Sequence, residues 1–561
     1  MEIRKIDEEL SVTGQLSEAD LEQIAGRGFR SIICNRPDNE EENQPGFGSI
    51  EEAAEVLGLS ALYLPVVAKE ITEVDVLSFT EALAKLPKPI LSYCRTGSRC
   101  SQLWALYAAR KAIPMENIRS IVEGAGFNLD AVEQFFAQHS ASRSSPNRHF
   151  EVLIVGAGAG GLSTAASLLK RQGRLEIGII DPAEKHYYQP GWTMVGAGVF
   201  DAPSTERHMA KLIPSDATWI KAAVIGFDPN NNQVALDNGT RISYDRLVVA
   251  AGLVLNWHGV EGLAESLGTN GVTSNYRYDL APYTWRLVQD LRKGKAIFTQ
   301  PPMPIKCAGA PQKAMYLSSD HWRRTNRLRN IEVHFYNAGG VIFGVQAYVP
   351  ALEKYLANYA INLHFSHNLV KIDGESKTAW FEKQDSLGNR ESVSTNFDMI
   401  HVCPPQQAPD FIRSSSLVDD GGWVDVDKET LAHKKYSNIW ALGDVINAPN
   451  AKTAAAARMQ APIVAHNVLS DIGSVRGIAR YNGYGSCPLT VAKGKIVLAE
   501  FGYDGKLLPS FPKWLIDGTK PSRAAWVLKK DILPLLYWHG MLKGREWKVK
   551  PVVAEMGTDH V

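Results

Sequence analysis

The sequence predicts an α/β protein in two parts, each with its own core, and three observations predict it. Over residues 1–136, strand-like apolar runs at 31–34, 62–66 and 90–94 alternate with helical runs at 18–26 and 74–86, the pattern of a small layered fold. Residues 137–149 are polar and Ser-rich with one proline, as linkers are. At residue 150 a fresh strand begins and leads into a glycine-rich loop and a helix. A chain of 561 residues also exceeds one ordinary core, at about 100–200 residues per domain.

In the first part, the strand that ends at Tyr93 feeds Cys94-Arg95-Thr96-Gly97-Ser98-Arg99-Cys100 and then a helical run. A cysteine at such a strand-to-helix turn lies among backbone N–H groups, which lowers its pKa and suits an anion or a persulfide. Cys94 is therefore a candidate nucleophile, with Arg95 and Arg99 as flanking cations. Two chemistries use loops that resemble this one. Cysteine phosphatases place an arginine six residues after the nucleophile, where this chain has Cys100, and need a general acid, for which Glu70 and Glu73 are loose candidates. Rhodanese-type sulfurtransferases carry a loop that opens Cys-Arg-x-Gly, as Cys94 to Gly97 do, and move sulfane sulfur between thiols without such an acid. With Gly14-Gln15-Leu16 and Asn35-Arg36-Pro37-Asp38, this loop makes residues 1–115 resemble the beta-lactamase hydrolase-like family. The resemblance implies a dual-specificity-phosphatase-like fold and an association with sulfide oxidation. Two readings of Cys100 stay open, as the thiol that resolves a Cys94 persulfide and as packing.

The second part opens with an apolar strand at 151–155, then Gly156-Ala157-Gly158-Ala159-Gly160-Gly161, a helix through Lys170, and a second strand that ends at Asp181. The glycines permit a tight turn and close approach to a pyrophosphate, the helix N-terminus stabilises its charge, and the acid accepts ribose hydroxyls. Gly156, Gly158, Gly161 and Asp181 are thus expected to bind a dinucleotide. The runs at 244–252, closing on Gly252, and at 438–444, closing on Asp444, resemble the returning strands of two-dinucleotide-binding-domain (Rossmann-like) flavoproteins. That resemblance implies FAD, with Asp444 on the ribityl chain. Lys452 then opens an Ala-rich helix whose positive end suits a reduced flavin. NAD(P)H-using members of this class carry a second glycine fingerprint midway along the chain. Here the strand at 295–299 runs into Gln300-Pro301-Pro302-Met303-Pro304, whose prolines offer no N–H to a phosphate, so a nicotinamide substrate is not expected.

In its place stands Cys307, within Pro304-Ile305-Lys306-Cys307-Ala308-Gly309-Ala310-Pro311-Gln312-Lys313. With the runs at 186–198, 421–427 and 484–489, it makes residues 150–545 resemble sulfide:quinone oxidoreductase, particularly its mitochondrial-like branch. The resemblance implies sulfide attack on a cysteine disulfide or trisulfide, sulfane sulfur left as persulfide, and a thiolate–flavin adduct that passes two electrons to membrane quinone. Cys307 matches one of the family's two redox cysteines. The other should follow Gly443-Asp444, where this chain has Val445. Cys403 is read either as its substitute or as a buried structural thiol, and Cys487 as structural.

Around residues 516–561, Trp526, Tyr537 and Trp538 lie among apolar residues flanked by Lys529, Lys530, Lys543, Arg545 and Lys548. This amphipathic helical segment is read as an in-plane membrane contact, the alternatives being packing on its own domain or against a second copy in a homo-oligomer. Lys plus Arg balance Asp plus Glu at 60 each, so nothing in the global charge favours nucleic acid. Six scattered cysteines fit neither a disulfide framework nor a zinc site. The N-terminus has no apolar signal region, and no run reaches the roughly 18–20 apolar residues of a membrane span. The expectation is a cytoplasmic, bifunctional sulfur enzyme, peripheral on the inner face of the cytoplasmic membrane. Its FAD part oxidises sulfide or a persulfide, and Cys94 relays sulfane sulfur to a small acceptor thiol. The alternatives are a cysteine-dependent phosphatase fused to a redox-sensing flavoprotein, and a non-catalytic FAD scaffold.

Overall fold

A computed structural model describes residues 2–41, 43–67, 71, 73–110, 115–129, 148–385 and 387–554. The expected linker lies outside the described residues as far as position 147, and so does Glu70. The chain divides into two compact units, Met1–Pro146 with Asp237–Thr240, and Asn147–Leu236 with Arg241–Val561.

The first unit is built on a five-stranded sheet of β1 (Arg4–Lys5), β2 (Leu10–Thr13), β3 (Ser31–Cys34), β4 (Ser60–Tyr63) and β5 (Ile90–Tyr93), in the order β1-β2-β5-β3-β4. All neighbours are parallel except β1 and β2. Parallel sheets are covered on both faces, and the period-two alternation of β3 and β5 divides their side chains accordingly. Ile33 and Ile90 face α3 (Glu73–Lys85), α4 (Ser98–Arg110) and α5 (Met115–Gly124) through Phe79, Leu103, Trp104 and Ile118. Ile32, Leu91 and Tyr93 face α1 (Leu21–Gly26) and α2 (Phe47–Val56) through Ile24, Phe47 and Ile50. The central strand β5 therefore delivers Cys94 to the turn before α4.

In the second unit, β6 (Arg148–Val155), α6 (Ala159–Arg171) and β7 (Ile177–Ile180) form the first crossover. The sheet continues with β8 (Ala217–Ile220), β9 (Val224–Asp228), β10 (Gln233–Leu236) and β11 (Arg241–Val249), in the order β8-β7-β6-β11-β10-β9. A second sheet contains β12 (Val272–Thr273), β13 (Gly294–Gln300), β14 (Ile331–Asn337) and β15 (Asn362–Phe365). An antiparallel layer of β16 (His367–Asp373), β17 (Thr378–Gln384) and β18 (Arg390–Asn396) follows, and β19 (Met399–His401) returns to the second sheet. That sheet runs β12-β19-β13-β14-β15, all parallel. β20 (Ile439–Ala441) then rejoins the first sheet beside β11. The first sheet is parallel apart from β9 and β10, with β10 pairing antiparallel with both β9 and β11; with the all-parallel second sheet it gives the doubly wound architecture that the glycine loop at 156–161 predicts.

Helix α7 (Leu280–Asp290) precedes β13, and α8 (Ala310–Arg324) follows it after a nine-residue loop, 301–309. Helix α9 (Val349–Asn358) follows β14, and α10 (Ala454–Asp471) follows β20. The hairpin of β21 (Gly485–Ala492) and β22 (Lys495–Phe501) turns Cys487, Leu489 and Val491 into the core shared with Met315 of α8.

The C-terminal helical segment, residues 523–543, contains π-helical turns at Leu528–Ile532 and Leu536–Gly540. Its aromatics differ from the membrane-facing expectation. Tyr537 and Trp538 are buried in the core of the first sheet, and Tyr537 donates to His186 Nε2 at 2.7 Å. His186 Nδ1 in turn donates to the Ala157 carbonyl at 3.1 Å, so the ring is neutral, and burial pulls it down to about 4. Lys529, expected among the lipid-facing cations, is 5% exposed. Within this segment the exposed large apolar residues are Val527, Ile532 and Leu535; Trp514 and Leu515 before it, and Trp547, Val552 and Val553 after it, are exposed as well. Among the described residues no helix is long and apolar enough to cross a membrane.

Candidate active site

The glycine loop between β6 and α6 is shaped by contacts that exclude side chains. A Cβ on Gly161 would lie 1.8 Å from the Gly156 carbonyl oxygen, and one on Gly156, whose φ is +101°, would lie 2.5 Å from that of Ala250. A Cβ on Gly158 would meet nothing within 4 Å. The loop thus packs tightly behind and opens in front, at the N-terminus of α6, as a pyrophosphate cradle does. Asp181, at the end of β7, accepts from Ala157 N at 2.6 Å and Ala183 N at 2.8 Å, which fixes the loop against the strand. Gly252 takes φ +69° just past β11. Ser163 Oγ on α6 and Gln460 Nε2 on α10 are buried with no hydrogen-bond partner among the described residues, and buried polar groups otherwise find one. These open positions fit a flavin dinucleotide.

Asp444 follows β20. Its carboxyl is raised by burial and lowered by Lys452 and Lys306. The Lys452 ammonium donates to the carbonyls of Asp444 and Ile446, both at 2.7 Å, and lies 3.9 Å from the centre of the Trp423 ring. It therefore braces the turn after β20, and the N-cap of α10 is supplied by Thr453, whose side chain accepts from Ala456 N. Burial brings Lys452 down to about 8, against the pull of Asp444.

The loop after β13 meets this turn: Cys307 N donates to the Lys452 carbonyl at 2.8 Å. Cys307, half-buried with φ +48°, stands just ahead of α8, and its carbonyl accepts from Ala310 N at 2.7 Å. Its Sγ lies 3.7 Å from Cys487 Sγ and accepts from Lys313 Nζ at 3.0 Å. The Cys487 S–H, the Lys313 ammonium and, more weakly, Lys529 hold the Cys307 thiol well below the ordinary range in spite of its burial, while Cys487 keeps its proton. Lys529 is brought down to about 7 by burial and by Lys313. A cysteine at a helix N-terminus whose sulfur accepts from a lysine ammonium stands in surroundings that favour the thiolate.

Cys403 joins the small cluster around Tyr276 and Ile305 that Cys307 borders. The Tyr276 hydroxyl donates to the carbonyl of Lys306 at 3.2 Å, and Gln406 Nε2 donates to Cys403 Sγ at 3.7 Å. Burial pushes the Cys403 thiol up to about 12, so it is protonated and a poor nucleophile. The thiol that touches Cys307 is Cys487, which the sequence reading took as structural. One signal was available, since residues 485, 487, 489 and 491 share the inner face of one strand. Nothing local revealed that this face meets α8. Val445, where the resemblance expects a cysteine, is fully buried.

In the first unit, Cys94 Sγ accepts from Gly97 N at 3.2 Å. The buried Cys100 thiol and the backbone N–H groups of the loop bring Cys94 down to about 5 against its burial. The arginines serve otherwise than expected. Arg99 donates to Glu40 at 2.7 Å and to the Val66 carbonyl at 2.8 Å. Arg95 pairs with Glu41 at 2.5 Å. Both acids are shared with the buried Arg36. The loop's own amides and Cys100, rather than its guanidinium groups, activate Cys94.

Together, the two doubly wound sheets and the glycine cradle define an FAD-dependent oxidoreductase, with Cys307 as the candidate for a reactive sulfur in it. Family models match as "Pyridine nucleotide-disulphide oxidoreductase" over residues 150–288 and as "Beta-lactamase hydrolase-like protein, phosphatase-like domain" over residues 2–111. The mitochondrial sulfide:quinone oxidoreductase of Dictyostelium discoideum is 44% identical over 398 residues, 70% of this chain and 86% of that protein. The solved sulfide:quinone oxidoreductase of Aquifex aeolicus shares the fold at a TM-score of 0.59 and 19% identity, over 71% of this chain and 92% of that one. A beta-lactamase hydrolase-like protein of Xylella fastidiosa is 41% identical over 106 residues, 19% of this chain and 25% of that protein. The chain belongs to the sulfide:quinone oxidoreductase family and carries a beta-lactamase hydrolase-like domain at its N-terminus.

Proposed function

We propose that the flavoprotein unit oxidises sulfide with Cys307 as the residue that takes the sulfur, that the electrons go to a membrane quinone, and that Cys94 moves sulfane sulfur to a small acceptor thiol. The observation that carries this reading is the Cys307 thiolate, held by Lys313 and a second thiol at the head of α8. FAD, when bound, supplies the two-electron acceptor. The loop at Gly156, Gly158 and Gly161 would hold its pyrophosphate, the turn at Asp181 its ribose, and the turns at Gly252, Asp444 and Lys452 the flavin end.

The prolines after β13 leave no amide cradle for a nicotinamide cofactor. For Cys94, the engagement of Arg99 by Glu40 and the placement of Cys100 six residues on favour sulfur transfer over phosphoryl transfer, which an arginine would have to stabilise. Quinone is a membrane substrate. In the C-terminal segment the exposed Val527, Ile532 and Leu535, interspersed with Arg523 and Lys530, support peripheral contact with a bilayer.

The test is sulfide-dependent reduction of a short-chain quinone by the full-length holoenzyme, with sulfane sulfur transfer to a thiol measured in parallel. Cys307→Ser is expected to abolish quinone reduction, and Cys94→Ser to slow sulfane sulfur transfer while leaving the first anaerobic reduction of the flavin by sulfide intact. Wild-type quinone reduction by Cys307→Ser contradicts the reading of the flavoprotein unit. Cys94-dependent hydrolysis of aryl phosphates without sulfur transfer contradicts that of the first unit.

A further inference from the structure

We propose that Cys307 and Cys487 form a redox pair, which replaces in this chain the cysteine lost at Val445. The inference rests on the reading of Cys307 as the sulfur-bearing residue and adds a partner, a geometry and an order of events. The two sulfurs lie 3.7 Å apart, in van der Waals contact, so a disulfide, with an S–S bond of about 2.05 Å, needs a displacement of roughly 1.7 Å. The sulfurs come from elements far apart in sequence, the loop after β13 and strand β21, which the fold brings together. The fit is close: a Cβ on Gly309 would lie 2.6 Å from Cys487 Sγ, so only glycine there lets the two backbones approach. Lys313 and Lys529 are 3% and 5% exposed. Burying two like charges side by side is costly unless anions offset them, and the two thiols are the groups placed to do so.

The oxidised pair is an electrophile. Hydrosulfide attacks Cys307, the more accessible sulfur, forming one S–S bond as the Cys307–Cys487 bond breaks. Cys487 leaves as a thiolate stabilised by Lys313 and Lys529. The sulfide sulfur has lost two electrons, the protein disulfide has gained them, and Cys307 carries a persulfide. An acceptor thiolate then takes the outer sulfur and frees the Cys307 thiolate, with no net redox change. Reclosure of the pair releases two electrons and, with the hydrogens of sulfide and the acceptor thiol, two protons. The quinone of the proposed activity is their final acceptor. Overall, hydrogen sulfide, a thiol and a quinone give a persulfide and a quinol.

The test is peptide mapping without reduction. The full-length holoenzyme is treated anaerobically with a two-electron thiol oxidant such as diamide, then alkylated while it unfolds. A linked pair of peptides carrying Cys307 and Cys487 is expected, present also in Cys403→Ser and absent from Cys487→Ser. In the same preparations Cys487→Ser, with its FAD content unchanged, is expected to slow flavin reduction by sulfide about 100-fold or more. A Cys307–Cys403 link, a Cys307 alkylated to completion after oxidation, or wild-type reduction by Cys487→Ser overturns the pair. If Cys487→Ser does not fold, the map of the wild-type protein decides alone. Reduction of Cys307→Ser at the wild-type rate would instead overturn the assignment of Cys307 itself, so the two failures are distinguishable.

Discussion

At Cys307 the largest stabilising contact is the Cys487 S–H, and the next is the Lys313 ammonium. Lys313 donates to its sulfur, and an opposite charge at such range lowers a thiol pKa by about 1–3 units. Lys313→Met should therefore raise the Cys307 pKa and move the acid limb of sulfide-driven flavin reduction to higher pH by about 1–3 units. Lys313→Arg should keep the limb near its wild-type position, and an unmoved limb in Lys313→Met would assign the lysine to packing. Cys94 obeys a different rule, since its thiolate rests first on the Cys100 thiol and then on backbone amides. Its alkylation, followed by mass spectrometry at that peptide, should hold its rate down to about pH 5 and fall below it. Cys100→Ala removes the largest stabilising contact, so the midpoint should climb toward the ordinary thiol range. An unchanged midpoint would leave the backbone amides as sufficient cause.

At the scale of elements, the glycine cradle and the parallel crossovers of the two sheets are legible because their signals are local. A strand, Gly156 to Gly161, a helix and Asp181 follow one another along the chain, and each glycine has a steric reason that the structure supplies. Gly161→Val would press a side chain into the Gly156 carbonyl. It should yield protein with little or no bound FAD, as read from the visible absorbance of the purified chain, and wild-type FAD content would contradict the assignment of the cradle. Cys487, Lys313 and Lys529 are legible only in part, since their meeting depends on how α8, the hairpin of β21 and β22, and the C-terminal segment pack. The aromatics of that segment illustrate the same limit. Apolar residues beside lysines fit a membrane face and a buried seam equally well, and the contact with His186 decides for Tyr537. That Arg95 and Arg99 pair with Glu41 and Glu40 is not legible locally, because those acids lie more than 50 residues away in sequence.

At the scale of the whole molecule, the chain joins two thiolates of separate provenance, one in each unit. Linking two modules raises the effective concentration of a shared intermediate, and the proposed function makes a persulfide formed at Cys307 and consumed at Cys94 such an intermediate. A mixture of Cys94→Ser and Cys307→Ser chains, each at the concentration of the wild-type control so that the intact sites are equal in number, should therefore produce acceptor persulfide more slowly than wild type, with the deficit shrinking as protein concentration rises. Equal rates at all concentrations would leave the fusion without kinetic consequence. The exposed apolar residues of the C-terminal segment belong to this scale as well. Ile532→Glu combined with Leu535→Glu should weaken co-sedimentation with vesicles containing anionic lipid several-fold while leaving FAD content unchanged.

The central claim is that electrons enter this flavoprotein through sulfur at Cys307. Anaerobic mixing of full-length holoenzyme with sulfide, followed by the visible absorbance of the flavin, tests it most directly. Wild type and Cys403→Ser are expected to bleach at comparable rates, and Cys307→Ser to remain yellow on the same timescale. Bleaching of Cys307→Ser at the wild-type rate would contradict the account.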